Sequence, residues 1–105
     1  MRAEKELRRD ALAKSRAVLK GKLAEQLAPI FKVFGYNPSD ARFIGDPVDY
    51  VIFDGYTKVR ERIEDKPITV VLADVKTGQA GLTYEQRRIK RGIERGLVRF
   101  ETIRI

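Results

Sequence analysis

The sequence predicts an α/β domain in which a long helix precedes three strands, a second helix and a last strand. Leucines at helical spacing mark the first helix, the apolar period changes to two from Arg42 onward, and helix-start and helix-stop signals bracket residues 84–95. A chain of 105 residues has room for one modest core. We therefore expect a single domain over residues 1–105, with a mixed sheet that is flanked by helices.

The first helix is predicted over residues 3–31. Leu12, Leu19, Leu23 and Leu27 form one apolar stripe, while charged residues fill the other faces. Pro29 and the loop at residues 35–40 should end this helix.

Three strands are expected to follow. Apolar residues alternate over residues 48–53, and a turn at Asp54-Gly55 comes next. Residues 58–63 form a second, more polar strand in this prediction. Residues 68–75 are the most apolar segment and are therefore expected to be the central strand.

The second helix should begin after Thr83, which can cap it, and stop at Gly96. This helix can act as a crossover between two parallel strands. Residues 98–104 alternate again, so we predict a last strand there, parallel to the third.

The composition narrows the possible chemistry. The chain has no cysteine and no histidine, which excludes disulfides, thiol nucleophiles, zinc fingers and imidazole bases. Any reaction must therefore use carboxylates, lysine, arginine, hydroxyl groups or an oxygen-bound metal. No apolar stretch is long enough to cross a bilayer, and the N-terminus resembles no secretory signal. We expect a cytoplasmic, nucleoid-associated protein without a membrane partner.

The formal charge of +7 is unevenly distributed, with an acidic centre between two basic ends. Basic surfaces attract phosphate backbones through charge and counterion release, which favours DNA as the partner. Ribosomal or chaperone-like proteins of this size are basic as well. The candidates for phosphate contacts are Arg87, Arg88, Lys90, Arg91, Lys22 and Ser15.

Asp74 and Lys76 follow the most apolar segment. Side chains two residues apart share a face of an extended strand, so these two should point the same way while Val75 points into the core. A D-x-K tripeptide alone is more often structural. Asp49 strengthens the signal because it interrupts an apolar strand, and a buried carboxylate is costly unless it is paired, protonated or metal-bound. Glu25 lies off the leucine stripe and is a further candidate.

Five segments in the same order resemble the endonuclease family related to archaeal Holliday junction resolvases. They are residues 15–25 (SRAVLKGKLAE), 45–55 (GDPVDYVIFDG), 71–78 (VLADVKTG), 85–94 (EQRRIKRGIE) and 98–104 (VRFETIR). That family belongs to the PD-(D/E)XK nucleases, which share a restriction-endonuclease-like α-β-β-β-α-β core. The resemblance therefore implies the same element order as the residue pattern.

The resemblance also implies roles for individual residues. Asp49 corresponds to the aspartate of the "PD" element, Asp74 to the second acid and Lys76 to the lysine of the motif. Glu25 corresponds to a helix glutamate that completes the metal site. Gln86 lies where relatives often carry a glutamine that orients the lysine, the water or a phosphate.

One departure from the motif concerns its first acid. Val48 separates Pro47 from Asp49, so Asp46 competes with Asp49 for this role, although Asp49 is better placed inside the strand. As a hypothesis, Asp49, Asp74 and the carbonyl of Val75 hold one Mg²⁺, or Mn²⁺, with help from Glu25.

The resemblance implies hydrolysis of phosphodiester bonds in DNA, with branched DNA such as a Holliday junction as substrate. Two symmetric cuts would require a homodimer. Two alternatives stay open from the sequence. One is another structure-specific or single-strand nuclease of the same superfamily, and the other is a non-catalytic nucleic-acid-binding domain.

Overall fold

The computed structural model describes residues 21–22, 25–30 and 32–105. Within these residues the protein is α/β, as predicted. Its strands are β1 (Ala41–Phe43), β2 (Tyr50–Asp54) and β3 (Thr69–Ala73), and its α-helices are α1 (Tyr56–Arg60) and α2 (Tyr84–Glu94). Short 3-10 helices occupy Ala28–Ile30, Lys32–Phe34 and Pro38–Asp40. None of the helices in the described ranges is long and apolar enough to span a bilayer.

The three strands form one antiparallel sheet in the order β1-β2-β3. Ile52 is the centre of the sheet, since it pairs with Ala41 on one side and with Val71 on the other. Strand β2 is therefore hydrogen-bonded on both edges and sets the position of its neighbours. The prediction that residues 68–75 form the central strand is wrong, because among the described residues β3 pairs with β2 alone and lies at an edge of the sheet.

The core lies on the face of the sheet that carries Tyr50 and Ile52. Ile52 is fully buried, and Ala28 packs against this face from the N-terminal side. The Tyr50 ring meets Phe34 and Phe43 edge-on, with centroids 5.7 and 5.3 Å apart. Such aromatic contacts add stabilisation beyond the burial of their area.

Residues 25–27 are helical, and the chain changes to a 3-10 helix at Ala28. Pro29 lacks a backbone N–H and cannot continue an α-helix without losing a hydrogen bond, which explains the end of the helix. Most of the predicted first helix, including Leu12, Leu19 and Leu23, lies outside the described residues.

The prediction of a strand over residues 58–63 is wrong, because this segment begins within helix α1 and ends in a turn. Val59 and Ile63 are four residues apart, a spacing that fits a helix as well as alternation fits a strand. The sequence pattern also missed β1, which is only three residues long.

Helix α2 confirms the predicted second helix, including the cap at Thr83 and the end at Gly96. The predicted last strand at residues 98–104 is wrong for the single chain, since this segment is exposed and has no regular structure. None of the described residues pairs with it. The sheet is therefore antiparallel throughout rather than mixed.

Asp40 stabilises the start of helix α1, whose first residue follows Gly55. The Asp40 side chain is buried and accepts hydrogen bonds from the N–H groups of Gly55 and Thr57 and from the Thr57 hydroxyl, at 2.6 to 3.1 Å. Burial would raise the pKa of Asp40, but these hydrogen bonds outweigh it and lower the pKa. The carboxylate thus caps a helix from a distant part of the chain.

We expect Asp40→Asn to lower the free energy of unfolding by about 1–3 kcal/mol at pH 7, because an amide offers one acceptor oxygen where three donors converge. The native pKa of Asp40 is lowered, so this difference should shrink as the pH falls toward that pKa. Urea denaturation measures it. Asp54→Asn, at an exposed position, is the control and should change stability little. Equal stability of the wild type and Asp40→Asn would contradict the capping role.

Candidate active site

Two aspartates meet where strands β2 and β3 lie side by side. Tyr50 pairs with Ala73, so one further step in the antiparallel register places Asp49 opposite Asp74. Asp49 immediately precedes β2 and Asp74 immediately follows β3. The sheet therefore joins two carboxylates that lie 25 positions apart in the sequence.

The loop before Asp49 is held at two points. The N–H groups of Ile44 and Gly45 donate to the Asp49 carbonyl, at 2.7 and 3.3 Å. The Gln86 side chain donates from Nε2 to the Pro47 carbonyl, at 2.7 Å. These contacts fix the backbone that presents the Asp49 carboxylate.

The Asp49 carboxylate is buried, with 3% of the residue surface exposed. Its Oδ2 accepts a hydrogen bond from the Val75 N–H at 2.7 Å. Burial raises the pKa of Asp49 to about 6, and the Val75 hydrogen bond opposes this shift. A hydrogen bond with Asp74 and the negative charges of Asp74 and Glu25 raise it further. The metal-free site therefore disfavours a fully charged pair of aspartates.

Lys76 lies beside Asp74, as the spacing of two residues predicts. The distance from Lys76 Nζ to Asp74 Oδ2 is 2.6 Å. The Asp74 oxygen is buried, and its contact with the ammonium is an ion pair without regular hydrogen-bond geometry. Val75 packs against the core between them. The Asp74 carboxylate and the Lys76 ammonium therefore lie on the same side of the chain, directly after strand β3.

Tyr50 connects the site to the N-terminal helical residues. Its hydroxyl donates to the carbonyl of Glu25, with the carbonyl of Gln26 3.1 Å away. Burial, and then the charges of Asp49 and Glu25, raise the pKa of Tyr50, so the hydroxyl stays protonated as a donor. This hydrogen bond holds the Glu25 backbone beside the two aspartates.

These side chains line a cavity of about 310 Å³. It contains the predicted acids, the lysine and the glutamine, together with Asp46 from the loop before β2 and Glu85 from the first turn of α2. The polar side chains in its lining are Glu25, Asp46, Asp49, Asp74, Lys76, Thr83, Glu85 and Gln86. A single concave surface therefore brings together residues from four distant stretches of the chain.

Gln86 makes its observed hydrogen bonds with the backbone. Its Oε1 accepts from the Thr83 N–H while the Thr83 hydroxyl accepts from the Gln86 N–H, which completes a capping box at the start of α2. With Nε2 bound to Pro47, the side chain connects α2 to the loop before Asp49. These contacts make Gln86 a positioning residue, and the predicted contact with water or phosphate stays a prediction.

The carboxylate oxygens of the cavity are the groups that decide whether a divalent cation fits the site. Mg²⁺ prefers hard oxygen ligands and needs only one or two carboxylates, since water and phosphate complete its shell. Asp49 and Asp74 offer two adjacent carboxylates, one with a raised pKa and one with a buried oxygen that accepts no regular hydrogen bond. Within the described residues no group of three or more acidic side chains can enclose an ion. The donors therefore suit an ion that shares its ligands with a substrate.

Four arginines form a stripe along the exposed face of α2 and its C-terminal cap. They are Arg87, Arg88, Arg91 and Arg95, which the helical period places within about 100° of one another. Arg88 stacks over the Tyr84 ring at 4.8 Å. None of the four forms a salt bridge with an acidic side chain among the described residues. Their charge is therefore free to attract phosphates.

The other predicted phosphate contacts lie elsewhere. Lys90 is exposed beside an apolar groove between α2 and β3, away from the arginine stripe. Lys22 is exposed on the N-terminal helical segment, and Ser15 lies outside the described residues. The helical period would have added Arg95 to the predicted set.

Sequence reasoning missed Glu85 in the cavity wall and the hydrogen bond of Tyr50. The signal for Glu85 was present, because the Thr83–Gln86 capping box fixes the first turn of α2 beside the Asp49 loop. Asp46 was considered as a competitor of Asp49. It is exposed at the cavity rim, whereas Asp49 is buried opposite Asp74 in the β2–β3 register, which favours Asp49.

We expect Asp49→Asn to stabilise the metal-free protein at pH 8. The native pKa of about 6 exceeds the unfolded value of about 3.9, so ionisation costs stability. The cost is absent below about pH 4, grows between about pH 4 and 6, and reaches about 3 kcal/mol above that range. Urea denaturation across pH measures it, with Asp54→Asn as the control.

Mg²⁺ should raise the Tm of the wild type at pH 8 and have little effect on Asp49→Asn, because bound ions stabilise the native state. A wild-type stability that is flat between pH 4 and 8, or equal Mg²⁺ effects on the two proteins, would contradict this description of the site.

One of three comparisons with known proteins gave a match. The model of the family described as "endonuclease related to archaeal Holliday junction resolvase" matches residues 8–105. Comparisons with curated proteins and with solved structures gave no match. Because the family match covers nearly the whole sequence, the chain belongs to the family of endonucleases related to the archaeal Holliday junction resolvase.

Proposed function

We propose that the protein is a Mg²⁺-dependent DNA endonuclease of the PD-(D/E)XK superfamily that hydrolyses phosphodiester bonds in branched DNA such as a four-way junction. The observation that carries this proposal is that Asp49 lies opposite Asp74 in the β2–β3 register and lines the same cavity, with Lys76 paired to Asp74. Membership of an endonuclease family supports the same chemistry.

Asp49, Asp74 and the Val75 carbonyl are the groups that would hold Mg²⁺ or Mn²⁺, with Glu25 acting directly or through water. When bound, the ion supplies Lewis-acid neutralisation of the scissile phosphate and activation of water. The raised pKa of Asp49 supports this role, since a cation beside the carboxylates would favour their charged forms.

The chain's own residues account for the rest of the chemistry. Hydrolysis joins a water oxygen to phosphorus and breaks one P–O ester bond, and negative charge builds up on the phosphate oxygens. The Lys76 ammonium, partly exposed at the cavity, orients the water and stabilises that charge. Gln86 and Tyr50 act indirectly, since they hold the backbones of the Asp49 loop and of Glu25.

The arginine stripe of α2 is the proposed path of the DNA backbone. The helix begins at the cavity, where Thr83, Glu85 and Gln86 line the wall, and the stripe continues along its exposed face. Unpaired arginines in such a row attract phosphates without reading base sequence. This agrees with an enzyme that recognises the shape of its substrate.

Junction resolution needs two cuts, so we propose a homodimer with one site in each copy. Another nuclease of this superfamily, which cuts flaps or single strands, would share the same site. Substrate choice depends on the surface and on how copies associate. A panel of substrates therefore separates these two activities.

We expect the wild type to cut a labelled four-way junction in preference to linear duplex and single-stranded DNA, and only with Mg²⁺. Asp74→Asn and Lys76→Ala should each lower the cleavage rate by about 10²–10³-fold or more, because each removes a charge at the reacting phosphate. Gel assays of product and of bound DNA measure cleavage and affinity separately.

The matched controls are Asp54→Asn and Lys66→Ala, which make the same changes away from the cavity and should cut normally. Cleavage at the wild-type rate by Asp74→Asn or Lys76→Ala would refute the assigned site. Salt-sensitive binding without any cleavage would identify a non-catalytic DNA-binding protein.

We expect the double change Arg87→Gln and Arg91→Gln to weaken DNA binding and to reduce its salt dependence. Each lost phosphate contact should lower the slope of log affinity against log salt by about 0.9 on duplex DNA. Fluorescence anisotropy at several salt concentrations measures this slope. Arg60→Gln in α1 is the control, and an unchanged slope in the double variant would place the DNA elsewhere.

A further inference from the structure

The segment that follows α2 has no regular secondary structure, and its large apolar side chains are exposed. Val98 and Phe100 are 61% and 94% exposed, and Ile103 and Ile105 are exposed as well. A run of exposed large apolar side chains on a soluble chain marks an interaction site. The segment of residues 97–105, called the C-terminal segment below, needs a partner.

The end of helix α2 fixes the direction in which the C-terminal segment leaves the helix. Gly96 has a φ of +74°, its N–H donates to the Ile93 carbonyl, and the Leu97 N–H donates to the Gly92 carbonyl. This pair of hydrogen bonds is a Schellman motif, which sets the direction in which the chain leaves a helix. Residues 97–105 contain no glycine or proline that would favour a sharp reversal.

Strand β3 has an open edge that suits an added strand. It pairs with β2 on one side, and none of the described residues pairs with its other side. Val70 and Leu72 are 55% and 38% exposed on this strand. Between β3 and α2 lies a groove of about 330 Å³, whose apolar lining includes Leu82, Ile89 and Ile93. An open edge beside an apolar groove is a template for another strand.

We propose that the C-terminal segment of one copy pairs with the β3 edge of a second copy, and that the exchange is reciprocal. The extended backbone supplies the donors and acceptors that the edge lacks. Val98 and Phe100 share one face of the added strand and fill the groove, while Ile103 and Ile105 lie on its other face. A strand that is apolar on both faces is typical of one covered on both sides.

A second copy fits this edge better than an unrelated protein does. Each chain carries both the open β3 edge and an apolar segment that none of the described residues pairs with, so two chains can supply each other's missing strand in a closed two-fold pair. An unrelated strand on β3 would leave the C-terminal segment exposed. Each of the two folded units would then contain a four-strand sheet whose last strand, predicted at residues 98–104, is supplied by its partner. The inference does not rest on nuclease activity, and its test measures no cleavage.

Cross-linking between isotopically mixed copies tests the exchange. Unlabelled and ¹⁵N-labelled chains, each with a benzophenone amino acid in place of Phe100, are refolded together and irradiated. We expect cross-links that join position 100 of one chain to β3 or α2 of another chain. Such links are recognised because one peptide of the cross-linked pair carries ¹⁵N and the other does not. Cross-links confined to one isotope, or to segments other than β3 and α2, would overturn the proposal. So would a wild type that sediments at the 12.0 kDa mass of one chain.

Phe100→Asp gives an independent measurement. It should convert the dimer to a folded monomer, because Phe100 is 94% exposed within its own chain and contributes little to the core. Val33→Asp, at another highly exposed apolar position, is the control and should stay dimeric. Sedimentation measures the mass of each variant in solution, and circular dichroism shows whether the variant is folded. A Phe100→Asp protein that is still a dimer would overturn the exchange.

Discussion

The β2–β3 register is the constraint on which the site depends. Ile52 at the centre of the sheet fixes the pairing of Tyr50 with Ala73, and that pairing puts Asp49 and Asp74 side by side. A slip of one residue would turn every side chain of β2 to the other face, which would bury polar groups and separate the acids. The packing that stabilises the fold therefore also brings the Asp49 and Asp74 carboxylates of the candidate site together.

The residues around this pair divide into those that hold the backbone and those that carry charge. Gln86 anchors the loop before Asp49, and Tyr50 anchors the backbone of Glu25. Asp49 and Asp74 share a buried space in which two full charges are unfavourable. Rigid support with repelling carboxylates would favour the proposed cation, because a bound ion would remove the electrostatic cost of two adjacent negative charges.

Much of this could be predicted from the sequence, for physical reasons that differ by element. In helix α2 the capping residue, the apolar period and the glycine stop all indicate the same first and last residues. The bounds of this helix were therefore predictable. The spacing of Asp74 and Lys76 directly after β3 predicted that the two side chains point the same way, and in the structure they form an ion pair. Helix α1 was not predictable, because its cap comes from Asp40, which lies fifteen positions before Gly55, and no local pattern reveals it. The C-terminal segment has the pattern of a strand, but a strand also needs a neighbour, which none of the described residues of its own chain provides.

The most direct test of the account is the position of a bound ion. Crystals grown with Mn²⁺ give an anomalous signal that locates the metal without assumptions about catalysis. We predict one site in each copy, coordinated by the carboxylates of Asp49 and Asp74. A structure in which Mn²⁺ lies elsewhere, or in which these two carboxylates face different sides of the sheet, would contradict the central claim.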